Sequence, residues 1–72
     1  MELKHNWHEF RDKVVECSTI YKKMRGVPDN EAMDGDEGEV FCKAVRACIH
    51  NIEGNIDDSE LNLKLYRIEK QM

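Results

Sequence analysis

The sequence has no long apolar run, a single proline and only three cysteines in 72 residues. No stretch approaches the ~18 apolar residues that span a bilayer, and no secretory pattern is recognisable near the N-terminus. We therefore expect no membrane association and a cytoplasmic location, in the producing cell or in a host cell. Cys17, Cys42 and Cys48 are odd in number and lack C-x-x-C spacing. Reduced thiols are thus expected, and not a disulfide framework or a zinc site.

Groups that could carry out catalysis are also scarce. Ser18, Thr19 and Ser59 are the serine and threonine hydroxyls, and none lies in a G-x-S-x-G motif. Cys48 and His50 are two residues apart, so on a helix they point in different directions and form no local dyad. A chain this short also leaves little volume for a substrate pocket. We expect a protein that is not an enzyme and that binds no cofactor.

Patterns that bind metal ions are incomplete. His5 and His8 are three residues apart, and Asp12 follows His8 by four, but two ligands do not make a structural site. An EF-hand loop aligned with Gly35 at its sixth position would place Ala32 and Phe41 at ligand positions. Neither side chain can bind calcium, so we expect no specific metal site.

The net charge of −4 is unevenly distributed along the chain. Residues 29–60 carry ten acids against Lys43 and Arg46, whereas residues 1–28 and 61–72 are both net positive. A middle segment with this excess of acids repels phosphate backbones and favours a basic partner. Because a short chain buries little apolar surface, a partner protein or a second copy would also add stability.

Residues 6–25 are predicted to form one amphipathic helix. Its apolar residues recur every three or four positions, the spacing of a helix with one buried face; they are Trp7, Phe10, Val14, Cys17, Tyr21 and Met24. Asn6 and Glu9 form a capping box at its start, and Gly26 followed by Pro28 ends it. A loop over residues 27–36 follows.

A second helix is predicted over residues 37–53. Its apolar residues cover more than one face, as expected of a central helix packed on two sides, and Gly54 ends it. Two capping pairs fit its start: Asp34 with Glu37, or Asp36 with Glu39.

A third helix is predicted over residues 57–71. Asp57 and Glu60 form an acidic capping box, and Ile56 with Leu61 forms a hydrophobic staple. Leu65, Ile68 and Met72 continue the apolar stripe from Leu61. Short connections between three such helices predict an all-α fold, a small three-helix bundle in one domain over residues 1–72.

Two sets of residues are candidates for partner binding. The first is the acidic segment, in which no basic residue interrupts six acids: Asp29, Glu31, Asp34, Asp36, Glu37 and Glu39. The second is Leu63 with Tyr66, which lie off the stripe of the third helix on the face that a monomer would expose. Val15 and Ile20 lie off the stripe of the first helix in the same way. Apolar residues exposed on so small a domain favour an interface.

These features favour a small non-catalytic protein-binding module. Its partner would be a second copy, giving a homo-oligomer, or a larger protein with a basic surface, such as one that handles nucleic acid. In size and charge the chain is similar to small acidic inhibitors from phages and mobile elements, which block such surfaces.

The alternative is a small DNA-binding or transcription-regulating protein that uses Lys64, Arg67 and Lys70 of the third helix. The acids Asp57 and Asp58 at the start of that helix argue against it, because they would face the phosphates. A helical ligand- or metal-binding module is a third hypothesis.

Overall fold

The first helical stretch contains a break that the apolar spacing did not predict. In the computed structural model, which describes residues 2–72, α1 spans Trp7–Asp12 and α2 spans Cys17–Arg25. Lys13 leaves the helical region, with φ −116° and ψ 53°, and a 3-10 turn over Val14–Glu16 joins the two helices. The prediction of one continuous helix over residues 6–25 is therefore wrong.

Two adjacent β-branched residues provide a physical reason for this break. Val14 and Val15 lose side-chain freedom in an α-helix, so the sequence is locally a weak helix former. The 3-10 turn takes about three residues per turn, which keeps the predicted face turned inward. The six residues of the predicted face are all buried or packed against the core: Trp7, Phe10, Val14, Cys17, Tyr21 and Met24. The predicted buried face is thus confirmed although the helix is broken.

The predicted ends of this stretch are also confirmed. The Asn6 side chain accepts a hydrogen bond from the Glu9 backbone N–H at 3.4 Å. Gly26 ends α2 with φ 70°, in the left-handed region that glycine adopts without strain. The Val27 N–H donates to the Lys22 carbonyl at 2.8 Å, which completes the cap.

Two longer helices complete the fold. α3 spans Gly35–Ile52, so it begins before the predicted residue 37, and the predicted loop over residues 27–36 ends at Asp34. Asp34 caps α3 by accepting a hydrogen bond from the Glu37 N–H at 2.9 Å. α4 spans Asp58–Glu69, and its N-cap Asp57 accepts from the Glu60 N–H at 2.8 Å, as predicted.

α3 is the central element, against which α1, α2 and α4 all pack. Small buried residues on α3, Ala44 and Ala47, allow the neighbouring helices to approach closely. Towards α1 and α2, Phe41 of α3 meets two aromatic rings, with centroids 6.1 Å from Phe10 and 5.3 Å from Tyr21. Residues 2–72 contain no β-strand, so the predicted all-α bundle is confirmed. No helix in this part of the chain is long and apolar enough to cross a bilayer.

Candidate functional surfaces

The structure divides the predicted acidic patch between structural and exposed residues. Glu37 accepts hydrogen bonds from Arg25 Nε at 3.0 and 3.1 Å and from the Tyr21 hydroxyl at 2.6 Å. The hydrogen bonds from Arg25, and then from Tyr21, hold the pKa of Glu37 below its ordinary value. Since Asp34 is engaged as the cap of α3, two of the predicted partner-binding acids serve the fold itself.

Tyr21 shows how closely this cluster is tied to the core. Its side chain is fully buried, and burial, together with the Glu37 carboxylate, raises the pKa of its hydroxyl. The hydroxyl therefore remains a hydrogen-bond donor to Glu37. The cluster joins α2 to the first turn of α3.

The remaining four acids of the patch are exposed: Asp29, Glu31, Asp36 and Glu39. Glu39 lies 3.9 Å from the Lys43 ammonium, but both side chains are largely in solvent, so this pair contributes little to stability. The four acids lie in the loop before α3 and in its first two turns. They keep this end of the helix negative.

Leu63 and Tyr66, the predicted apolar anchor, are half-buried. The Lys70 ammonium lies 4.7 Å from the centre of the Tyr66 ring, in a cation–π contact that covers part of it. The two residues off the stripe of the first helix differ: Val15 is 93% exposed, whereas Ile20 packs against the core. The predicted anchor is thus a smaller apolar surface than its sequence pattern suggests.

A larger set of apolar residues reaches the surface on α3. Ile49 is 40% exposed and Ile52 is 54% exposed, although the sequence pattern assigned both to a packed face. With Cys42 and Val45 they recur at intervals of three and four residues, which places them on one side of the helix. We call these four residues the α3 stripe. A shallow depression of about 310 Å³ is lined by three of them, Cys42, Val45 and Ile49.

Charged residues of alternating sign border the α3 stripe. Glu39, Arg46 and Glu53 follow one another at seven-residue intervals along one edge, and all three are exposed. Apolar residues flanked by such a row are typical of a helix that pairs with another helix.

A groove between α3 and α4 gathers basic residues from both helices. Its volume is about 340 Å³, and its lining consists of Lys43, Arg46, His50, Lys64 and Arg67 around Ala47 and Ile68. We call it the basic groove. The sequence pattern identified only the α4 members, because the share of α3 depends on how the two helices pack. Lys70, the third residue of the predicted basic row, does not line the groove and lies over Tyr66 instead.

The thiols and histidines form no metal-binding cluster in the described part of the chain. No group of three or more His, Cys, Asp or Glu side chains lies close enough to hold a metal ion within residues 2–72. Cys17 is buried, as its place in the apolar pattern predicts, and Cys48 is buried too, whereas Cys42 is exposed. Burial raises the pKa of the Cys17 thiol, and it raises that of Cys48 to about 11.

Two polar residues that the sequence pattern did not single out hold the chain together. Buried Asn51 accepts a hydrogen bond from Arg11 Nε at 2.6 Å and donates to the Ile56 carbonyl at 3.2 Å and to Asp58 at 3.0 Å. Glu69 accepts from the backbone N–H groups of residues 4 and 5 and from the indole N–H of Trp7. Asn and Glu are common at exposed surface positions, so the sequence alone does not distinguish these two residues. Their roles become visible only in the folded structure.

No protein-family model, curated protein or solved structure matches this chain.

Proposed function

We propose that this protein is a non-catalytic protein-binding module whose main contact surface is the C-terminal part of the α3 stripe, Ile49 and Ile52. The observation that carries the proposal is the exposure of Ile49 and Ile52, at 40% and 54%, on the same side of α3 as Val45. Single exposed apolar residues are ordinary. A row of exposed apolar residues bordered by charged residues is typical of a helix that packs against another helix.

A second copy of the chain is the partner that we propose for this surface. Two α3 helices packed in opposite directions about a two-fold axis can place Ile49 of each copy beside Ile52 of the other. In the same register Arg46 of each copy lies beside Glu53 of the other, because both residues are on one edge of the stripe. The apolar contact and the ion pair thus each form twice, which is what a symmetric interface requires.

The size of the domain supports the same partner. A chain of 72 residues has a small core, and oligomerisation is a common way for such chains to gain stability. Dimer formation would cover Ile49 and Ile52, which the monomer leaves partly in water.

A larger protein with a basic surface is the second partner that we propose, for the negative end of α3. Asp29, Glu31, Asp36 and Glu39 are exposed there, and opposite charge accelerates association with a basic surface. If that partner handles nucleic acid, we propose that this protein inhibits it by covering its basic surface. The proposed location is the cytoplasm, where the three thiols would stay reduced.

Molar-mass measurements across a concentration series test the self-association. Sedimentation equilibrium from about 10 µM to about 1 mM should show a mass rising from monomer towards dimer, as mass action requires. Replacing Ile49 and Ile52 together with Gln should leave a folded monomer, because the exposed positions contribute little to the core.

Val15→Gln is the matched control, because it removes an apolar residue that is 93% exposed but lies outside the α3 stripe. This variant should associate like the unmodified chain. A strictly monomeric unmodified chain would refute the proposed dimer, and equal weakening by the control would refute the assigned surface.

A further inference from the structure

We infer that the basic groove is a binding site for a compact phosphate-bearing ligand, such as a nucleotide. Four Lys and Arg side chains and one histidine converge on it in a protein whose net charge is −4. Gathering like charges in one groove raises the energy of the folded chain. A bound anion would remove this repulsion.

The geometry of the groove suits such an anion. Lys43, Arg46 and His50 approach from α3, while Lys64 and Arg67 approach from α4. Arginine can donate two parallel hydrogen bonds to one phosphate group, and lysine supplies a point charge beside it. A single phosphate or diphosphate can therefore contact both helices at once.

The floor of the groove favours an organic phosphate over the inorganic ion. Ala47 and Ile68 line it between the basic side chains, so part of the surface beneath the cations is apolar. The volume of about 340 Å³ is within the range of small-molecule sites, roughly 300–1,000 Å³. A ligand with a ring beside its phosphates would fill both parts.

Acids near both ends of the groove favour a compact ligand over a nucleic-acid strand. Glu39 lies one turn before Lys43, Glu53 follows His50 by three residues and Glu60 precedes Lys64 by four. All three acids are exposed. A strand that continued past the groove would bring further phosphates close to these carboxylates, which repel them.

Titration with pyrophosphate, ATP and a DNA oligonucleotide tests this inference. Two-dimensional NMR should show saturable shifts, confined to the groove helices, with pyrophosphate and with ATP. ATP should bind more tightly than pyrophosphate because of the apolar floor, and both affinities should fall as salt rises. The substitutions Lys64→Gln and Arg67→Gln together should weaken ATP binding by about tenfold or more, as expected for lost charge-assisted hydrogen bonds.

The pair Lys13→Gln and Lys23→Gln is the control, since it removes the same charge at exposed positions outside the groove. This control should retain its affinity for ATP. Absence of saturable shifts, or equal loss in the control, would overturn the inference. Tighter binding of the oligonucleotide than of ATP through Lys64 and Arg67 would also overturn it, in favour of a nucleic-acid site. The variants leave the α3 stripe unchanged, so this outcome is independent of self-association.

Discussion

The Arg25 guanidinium donates hydrogen bonds to the Glu37 carboxylate from both Nε and Nη2, and so joins the end of α2 to the first turn of α3. The pair is mostly shielded from water, with 27% and 22% of the two side chains exposed. Its hydrogen bonds keep Glu37 ionised and raise the pKa of Arg25. An acid that the sequence pattern placed on a binding surface is therefore part of the internal structure.

Replacing Glu37 with Gln should lower the free energy of unfolding by roughly 1–3 kcal/mol, because charge-assisted hydrogen bonds are lost in a partly buried site. Urea unfolding followed by circular dichroism measures the change. Glu39→Gln is the control, since the Glu39 side chain is 69% exposed, and it should change stability by less than about 0.5 kcal/mol. Equal effects of the two substitutions would contradict the role assigned to Glu37.

Lowering the pH should reduce the stability of the unmodified chain more than it reduces the stability of the Glu37→Gln variant. Folding lowers the pKa of Glu37 below its ordinary value of 4.5, so the ionised carboxylate stabilises the fold at neutral pH. That contribution disappears as the pH falls below about 4.5 through the lower folded-state pKa. Unfolding free energies of the two chains should therefore converge as the pH falls, and a constant difference between pH 7 and pH 3 would be inconsistent with the pair.

Glu69 should be the residue that fastens the N-terminal segment to α4. Partial burial disfavours its charge, but hydrogen bonds from the backbone of Lys4 and His5 and from the indole of Trp7 outweigh it, so its pKa is lowered. In Glu69→Ala the amides of Lys4 and His5 should exchange hydrogen faster, and the fluorescence of the single tryptophan should change. Glu2→Ala, at an exposed position, should alter neither property. Unchanged exchange in Glu69→Ala would refute this anchor.

The three thiols should differ strongly in reactivity. Cys42 is exposed, whereas Cys17 and Cys48 are buried and their pKa values are raised, that of Cys48 to about 11. At pH 8 a thiol reagent should label one cysteine rapidly in the folded chain and all three after denaturation. Mass spectrometry of the labelled chain identifies the site, and rapid native labelling of Cys17 or Cys48 would contradict the packing described above.

Local patterns in the sequence predict the helices and their caps because both depend on neighbouring residues. The Asp57 cap and the glycine at residue 26 were correct for this reason. The break at Lys13 was not predicted, because apolar spacing is preserved across a 3-10 turn and does not reveal the weak helix propensity of the two adjacent valines.

The candidate surfaces were harder to predict because they depend on which helices meet. The apolar faces of α3 looked like core on both sides, and only the packed fold shows that Ile49 and Ile52 remain in water. The basic groove is lined by residues of both α3 and α4, so a pattern read along one helix identifies only the lining residues of that helix. Glu37 appeared to be one acid among six because its partners Arg25 and Tyr21 lie in another helix.

Exchange of the charges at residues 46 and 53 tests the proposed self-association most directly. Sedimentation equilibrium would compare the unmodified chain with Arg46→Glu, with Glu53→Arg and with the chain that carries both substitutions. Each single substitution places like charges together twice in the symmetric dimer and should weaken association by roughly tenfold. The double substitution restores opposite charges in the same register and should recover the association of the unmodified chain. The same molar mass for all four chains, or a double variant no better than the single ones, would contradict the account.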